Sequence, residues 1–321
     1  MQFLIDLLAK FISKDKKPGW VASGFVENLA CMAHVTSHGD GKPVIHRLVM
    51  NEITEKKCIT LKAIIKKYKM AHYRHIFLLG YREYSLIQVE KPHLPEDEIK
   101  EAIRWTVKDQ LGYPAEQAEI QVLDIPLDVE TKNAVAQSFV AASKAETIKF
   151  YTEKFEGFAK GALEVIDLPE LAQRNIARLL EQKERGLALL TMNSKGGLLT
   201  FTANGELYQA RYFATDTKAL VAEGTESQQQ IYELLTLELQ RLLDNFELKF
   251  PHIFVNRIVL APFAGRDGFA DYLDHSLNIR VETFSITTLF DLDKNIQLGD
   301  FAQEGNALLF LGATLREELA T

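Results

Sequence analysis

The chain has 321 residues, of which 47% are hydrophobic and 25% charged; that is enough apolar material for a sizeable core and too much for one small domain, so two lobes are expected. A formal charge of −7, with few basic clusters expected outside the first seventeen residues, sets nucleic acid aside as a partner. The two cysteines, Cys31 and Cys58, make no disulfide framework and point to a reducing compartment, the cytoplasm.

Residues 1–17 place Phe3, Leu4, Leu7, Leu8, Phe11 and Ile12 at helical spacing and end on Lys14, Lys16 and Lys17. The charge follows the apolar run rather than preceding it, so this is no signal peptide, and it is too short to span a bilayer. It reads as an amphipathic helix that either packs on the body or lies at a membrane surface.

After Pro18 the pattern becomes short β-runs at 20–24, 25–36 and 44–50, with a turn over 37–43. A helix is expected at 57–70, strands at 76–79 and 84–89, and a helix from Pro95 to Leu111, opened by Glu96, Asp97 and Glu98 at the positive end of its dipole and stopped by Gly112-Tyr113-Pro114. Strands at 118–125 and 134–141, a helix at 144–157, a strand at 162–166 and a linking helix at 168–183 follow. From Gly186 the layout restarts with strands at 187–192, 197–202 and 206–213, the last two joined by Asn204-Gly205, both tolerant of positive φ. A long helix at 225–247, a strand at 257–261, a helix at 265–276 and a strand at 279–281 complete the pattern. Two halves that each open with three strands and continue α, β, α fit the two-lobed arrangement of actin, Hsp70 and the sugar kinases, an α/β class.

Several ordered motifs then carry a resemblance. Tyr84-Ser-Leu-Ile-Gln-Val-Glu-Lys-Pro92, Glu98-Ile-Lys-Glu-Ala-Ile-Arg-Trp-Thr-Val-Lys-Asp109, Gly112-Tyr-Pro114, Ala261-Pro-Phe263, Phe290-Asp-Leu292 and Ala307-Leu-Leu-Phe-Leu-Gly-Ala-Thr-Leu-Arg316 resemble the PilM-like proteins of type IV pilus assembly, over about 18–316. The resemblance implies an actin-like fold with an inserted small α+β domain, as in PilM and the cell-division protein FtsA. The layout is then 1–17 as a terminal helix, 18–83 with 167–186 as the first lobe, 84–166 as the insert and 187–321 as the second lobe. It also implies a cytoplasmic protein peripheral to the inner membrane. Its partner would be the cytoplasmic tail of a PilN-like inner-membrane protein (MshJ in the mannose-sensitive haemagglutinin system), held between the first lobe and the insert, with the pilus assembly ATPase as a further candidate.

Nucleotide-binding members of this fold open each half with an Asp-x-Gly hairpin that holds phosphate and metal. Here the first loop reads Ala22-Ser23-Gly24, with alanine in the place of the aspartate. The second reads Thr191-Met192-Asn193-Ser194-Lys195-Gly196, and the adenosine loop carries Pro262 and Phe263 where glycines are usual. The expectation is a pseudo-ATPase with no cofactor and no catalytic residue, acting as a scaffold. A residual anion cradle at Gly196-Gly197, an active ATPase or phosphotransferase, and the cytoplasmic domain of a GspL-like type II secretion protein are the alternatives. For partner binding, Arg104 and Lys108 are expected one turn apart on the open side of the 95–111 helix with Trp105 at its border, whereas Ile99, Ala102, Ile103 and Val107 form its buried stripe. His72 and His75 read as surface histidines rather than metal ligands, and Asp124, Asp128, Asp291 and Asp293 as turn and cap residues.

Overall fold

In a computed structural model the described residues are 17–37, 41–54, 56–127, 135–159, 162–215 and 217–316. The expected terminal helix over 1–17 therefore lies almost wholly outside them. The chain divides into two compact units, one holding the chain up to His34 with Val49–Pro169, the other Val35–Leu48 with Glu170 onward.

The elements of the first half are β1 (Lys17–Val26), β2 (Leu29–Thr36), β3 (Val44–Glu52), α1 (Lys57–Lys67), β4 (Tyr73–Leu78), β5 (Tyr84–Glu90), α2 (Glu96–Thr106), β6 (Ala118–Asp124), β7 (Gln137–Lys144), α3 (Ala145–Glu156) and β8 (Leu163–Asp167). Those of the second are α4 (Pro169–Leu180), β9 (Gly186–Asn193), β10 (Gly196–Ala203), β11 (Glu206–Ala214), α5 (Glu226–Lys249), β12 (Val255–Leu260), α6 (Arg266–Ser276), β13 (Arg280–Thr283), α7 (Ile286–Leu289), β14 (Asp291–Leu292) and α8 (Phe301–Thr314). One sheet runs β14-β3-β2-β1-β4-β8 and another β11-β10-β9-β12-β13. Leaving out the short β14, the second repeats the first strand for strand: a meander of three, then two strands added in parallel beyond the meander's first. The duplication expected from the layout is thus a duplication of topology.

In the first unit Phe77 of β4 centres an aromatic cluster, its ring 4.0 Å from Tyr151 and within 6 Å of Phe25 and Phe155. The Arg74 guanidinium lies 3.8 Å over the Trp20 ring. A three-stranded sheet, β5-β7-β6, forms the small domain. The period of two gives it two apolar faces: Ile87, Val140 and Ile120 pack with Ile99 and Ile103 of α2 and with Val107 just past its end, whereas Phe139, Ala141 and Leu123 are buried on the other face.

In the second unit α5 buries Tyr232, Leu235, Leu239, Leu242 and Phe246 along one stripe, and Phe246 stacks on Phe201 of β10 at 4.3 Å. Thr225 caps α5 by accepting from Gln228 N–H. Helix α8 approaches α4 so closely that a Cβ on Gly312 would sit 2.2 Å from the Ala172 carbonyl. Glu170 onward packs with this unit, so most of the stretch 167–186, expected with the first lobe, groups with the second half of the chain.

Three expectations need correction. The first strand does not break at Gly24: β1 runs on to Val26, and the chain turns at Glu27-Asn28, where Glu27 takes φ 54°. The 95–111 helix ends at Thr106. Val107 is buried as its cap, and a 3-10 turn over Lys108–Gln110 follows, so Lys108 does not continue the α-helical face of Arg104. Basic residues are not confined to the start of the chain, because α1 and its flanks carry six lysines between Lys56 and Lys69 and no acidic residue.

Candidate functional site

The first loop is strand. Ala22, Ser23 and Gly24 pair in register with Ile76, Phe77 and Leu78 of β4, and Ala22 and Ser23 are fully buried. The Ala22 methyl offers no ligand oxygen to a metal.

The second loop is closed by a side chain from α4. Thr191 Oγ1 donates to Gln173 Oε1 at 2.6 Å, and Gln173 Nε2 donates to the Leu189 carbonyl at 2.7 Å, the Thr200 hydroxyl at 3.0 Å and the Leu198 carbonyl at 3.1 Å. Both residues are buried, so the polar capacity of this spot is used within the protein. Asn193 Oδ1 accepts from Lys195 N–H, which tightens the β9–β10 turn, and the Asn193 carbonyl accepts from Thr217. The Gly196-Gly197 pair serves β11. A Cβ on Gly196 would meet the Phe213 carbonyl at 2.2 Å, and one on Gly197 the Phe213 ring at 2.5 Å. Sequence reading missed Gln173 and Phe213, because neither lies in the loop it completes.

The third loop is filled. Pro262 and Phe263 are buried, and Phe263 packs beside Phe269 of α6 with ring centroids 6.5 Å apart. Gly265 holds φ 79° at the start of α6, where a Cβ would lie 2.5 Å from the Leu220 carbonyl. An aromatic side chain and a backbone thus occupy this loop's interior.

On the expected 95–111 helix the three candidate residues separate. Arg104 is not an open-side cation: its side chain is 17% exposed, Nη1 donates to the carbonyls of Ala115 and Ala118 at 2.7 Å each, and Nε reaches Glu101 at 3.3 Å. It ties α2 to the segment entering β6. Trp105 is 50% exposed and its indole N–H donates to Glu101 Oε1 at 3.0 Å, so it stands outside the small-domain core. Lys108 is exposed in the 3-10 turn. The start of α2 borders a recess of about 520 Å³ lined by Lys91, Pro92, His93, Leu94, Glu96 and Ala136 among others. Apart from Ala136, its lining comes from the stretch Lys91–Ile99, within the run of motifs from Tyr84 to Pro114, and no residue pattern there foretells a concavity.

No family model matches the chain, and no protein of curated function matches it in sequence. Solved structures do. A chain of a PilM-PilN type IV pilus biogenesis complex superposes with a TM-score of 0.67 at 17% identity, over 92% of this chain and 98% of that one. A Bacteroides thetaiotaomicron protein described as having an actin-like ATPase fold and unknown function superposes with a TM-score of 0.53 at 9% identity, over 86% and 93%. The fold is actin-like.

His75 is buried in β4, contrary to its reading as a surface residue. Its Nε2 bonds the Met70 carbonyl at 2.9 Å and its ring meets Phe155 edge-on, whereas His72 is exposed. Asp124 clasps the small sheet, accepting from Lys91 at 2.8 Å and from Ser138 at 2.9 Å. Asp293 faces His46 at 3.4 Å, Asp291 is exposed in β14, and Asp128 lies outside the described residues. Among the described residues no group of three or more His, Cys, Asp and Glu gathers as a metal site, and no helix is long and apolar enough to cross a membrane. Both cysteines are free. Burial pushes the thiol of Cys31 far up, and that of Cys58 up as well, with Lys154 opposing.

Proposed function

We propose that the protein is a non-catalytic scaffold of type IV pilus assembly, the MshI-type PilM relative of a mannose-sensitive haemagglutinin pilus, cytoplasmic and peripheral to the inner membrane. It acts by holding the cytoplasmic tail of a PilN-like membrane protein, MshJ in that system. The observation that carries this reading is the likeness to the PilM-PilN complex over almost the full length of both chains. The ordered sequence motifs between Tyr84 and Pro114 support it independently.

The non-catalytic reading rests on the chemistry of three loops. Ala22 supplies no carboxylate, Thr191 is committed to Gln173, and Phe263 fills the third loop. Phosphoryl transfer depends on positioned metal and phosphate contacts, and these loops provide neither. The protein therefore contributes binding energy and geometry. A membrane-tethered tail that orders against it would bind with modest affinity, reinforced by the many copies in an assembly.

Titration of the full-length protein with the synthetic N-terminal tail of the PilN-like protein, with and without ATP and magnesium, tests the reading. Saturable binding that nucleotide leaves unchanged is expected. No binding of the tail, or binding only with ATP, overturns it.

A further inference from the structure

Helix α1 presents a face that the tail-binding reading does not use. Its inner side, Leu61, Ile64 and Ile65, is buried in the first unit. Opposite, at i, i+3, i+4 and i+7, stand Ile59, Lys62, Ala63 and Lys66, with Lys67 alongside, all exposed. Ile59, which begins this stripe, is 50% exposed. Neither Lys62 nor Lys66 forms an ion pair with a described residue, and from Lys56 through Arg82 the chain has no aspartate or glutamate at all. In a protein of net charge −7 this is a local reversal of sign.

We propose that this face of α1 docks on an anionic phospholipid surface. The match is one of charge and of shape. A convex helix face carrying Lys62, Lys66 and Lys67, with Lys56, Lys57 and Lys69 at the helix ends, suits a broad plane of negative headgroups, and polybasic clusters of about four to eight cations have that affinity. Lysine stems extend along apolar surface and keep their ammonium groups in water, so Ile59 and Ala63 can enter the interface between them. A groove-bound acidic peptide fits less well, because the exposed side of α1 is a convex helix face, and recesses among the described residues lie at the start of α2 and between α5 and α6. Lysine also lacks the bidentate fork with which arginine fixes individual carboxylates. The inference does not depend on the identity of the tail partner.

The test is co-sedimentation of the full chain with vesicles of phosphatidylglycerol and phosphatidylcholine in equal parts, and with phosphatidylcholine alone. Binding to the anionic vesicles only, weakened by salt, is expected. Lys62→Gln/Lys66→Gln should lower the partition coefficient by about tenfold or more, Lys62→Arg/Lys66→Arg should retain it, and Ile59→Ser should reduce it at constant charge. Thermal melts establish that each variant is folded. Equal binding to neutral vesicles, or unchanged binding by the glutamine pair, overturns the proposal, and so does a loss seen only with Lys14→Gln/Lys16→Gln. Failure to bind any vesicle while binding polyglutamate overturns it in favour of an acidic protein partner.

Discussion

Thr191 and Gln173 form a buried hydrogen bond at 2.6 Å, and it links strand β9 to helix α4 just before the β9–β10 turn. The glutamine amide also serves two strand carbonyls and Thr200. Gln173→Leu would keep the volume and strand these groups, at a cost of about 1–3 kcal/mol per unsatisfied buried group. A lowered urea midpoint with an unchanged slope is expected. Adding Thr191→Val removes the orphaned hydroxyl and should recover part of the loss, a coupling that a double-mutant cycle measures. Additive losses would mean that the pair does not interact in solution.

Nucleotide should leave the protein's melting temperature where it is. A ligand at roughly 100 times its dissociation constant stabilises by about 2.7 kcal/mol, an effect readily seen in a thermal scan. With Ala22 buried in β1 and Phe263 packed beside Phe269, ATP with magnesium is expected to produce no shift. A shift of several degrees would return the protein to the ATPase class.

The legible parts of the sequence were those set by local chemistry. Asn204-Gly205 forms its hairpin with φ of 52° and 76°, and α5 follows the apolar period from Leu235 to Phe246. The hidden parts depend on distant partners. Arg104 looks like a surface cation on its helix because its acceptors, the carbonyls of Ala115 and Ala118, lie beyond the helix end. Gln173 looks like an ordinary helix residue until β9 and β10 are placed beside it. The lysines of α1 are interleaved with Ile59, Ala63, Ile64 and Ile65, and their common face emerges only once the buried side is known.

The two thiols should differ in reactivity. Cys31 is buried in β2 and Cys58 is half-buried on α1; burial raises both above the ordinary thiol range, Cys31 far more. The thiolate is the nucleophile, so at a given pH both should alkylate more slowly than free cysteine, and raising the pH should speed Cys58 first. Peptide mass mapping after iodoacetamide treatment is expected to find Cys58 modified in the native protein and Cys31 only after denaturation. Early modification of Cys31 would mean that β2 opens locally.

Arg104 and Trp105 are neighbours with opposite expected phenotypes. Arg104 holds two carbonyls at the end of the small-domain helix, so Arg104→Ala should cost stability, on the order of 2 kcal/mol for charge-assisted bonds to a partly buried group, and should weaken tail binding only through that loss. Trp105 is half-exposed, and its indole hydrogen-bonds Glu101 on its own helix, so Trp105→Ala should leave the melt within about 0.5 kcal/mol of the parent. If the indole is an anchor for the tail, the same change should cost on the order of 2 kcal/mol of binding, roughly thirtyfold in affinity. Lys108→Glu should weaken binding mainly at low salt, since an exposed cation acts through screened attraction. Calorimetric titration of the tail against each variant, with denaturation curves alongside, separates the cases. A stable Trp105→Ala protein that binds normally would place the tail elsewhere on the protein, and a large drop in its melting temperature would assign the indole to packing.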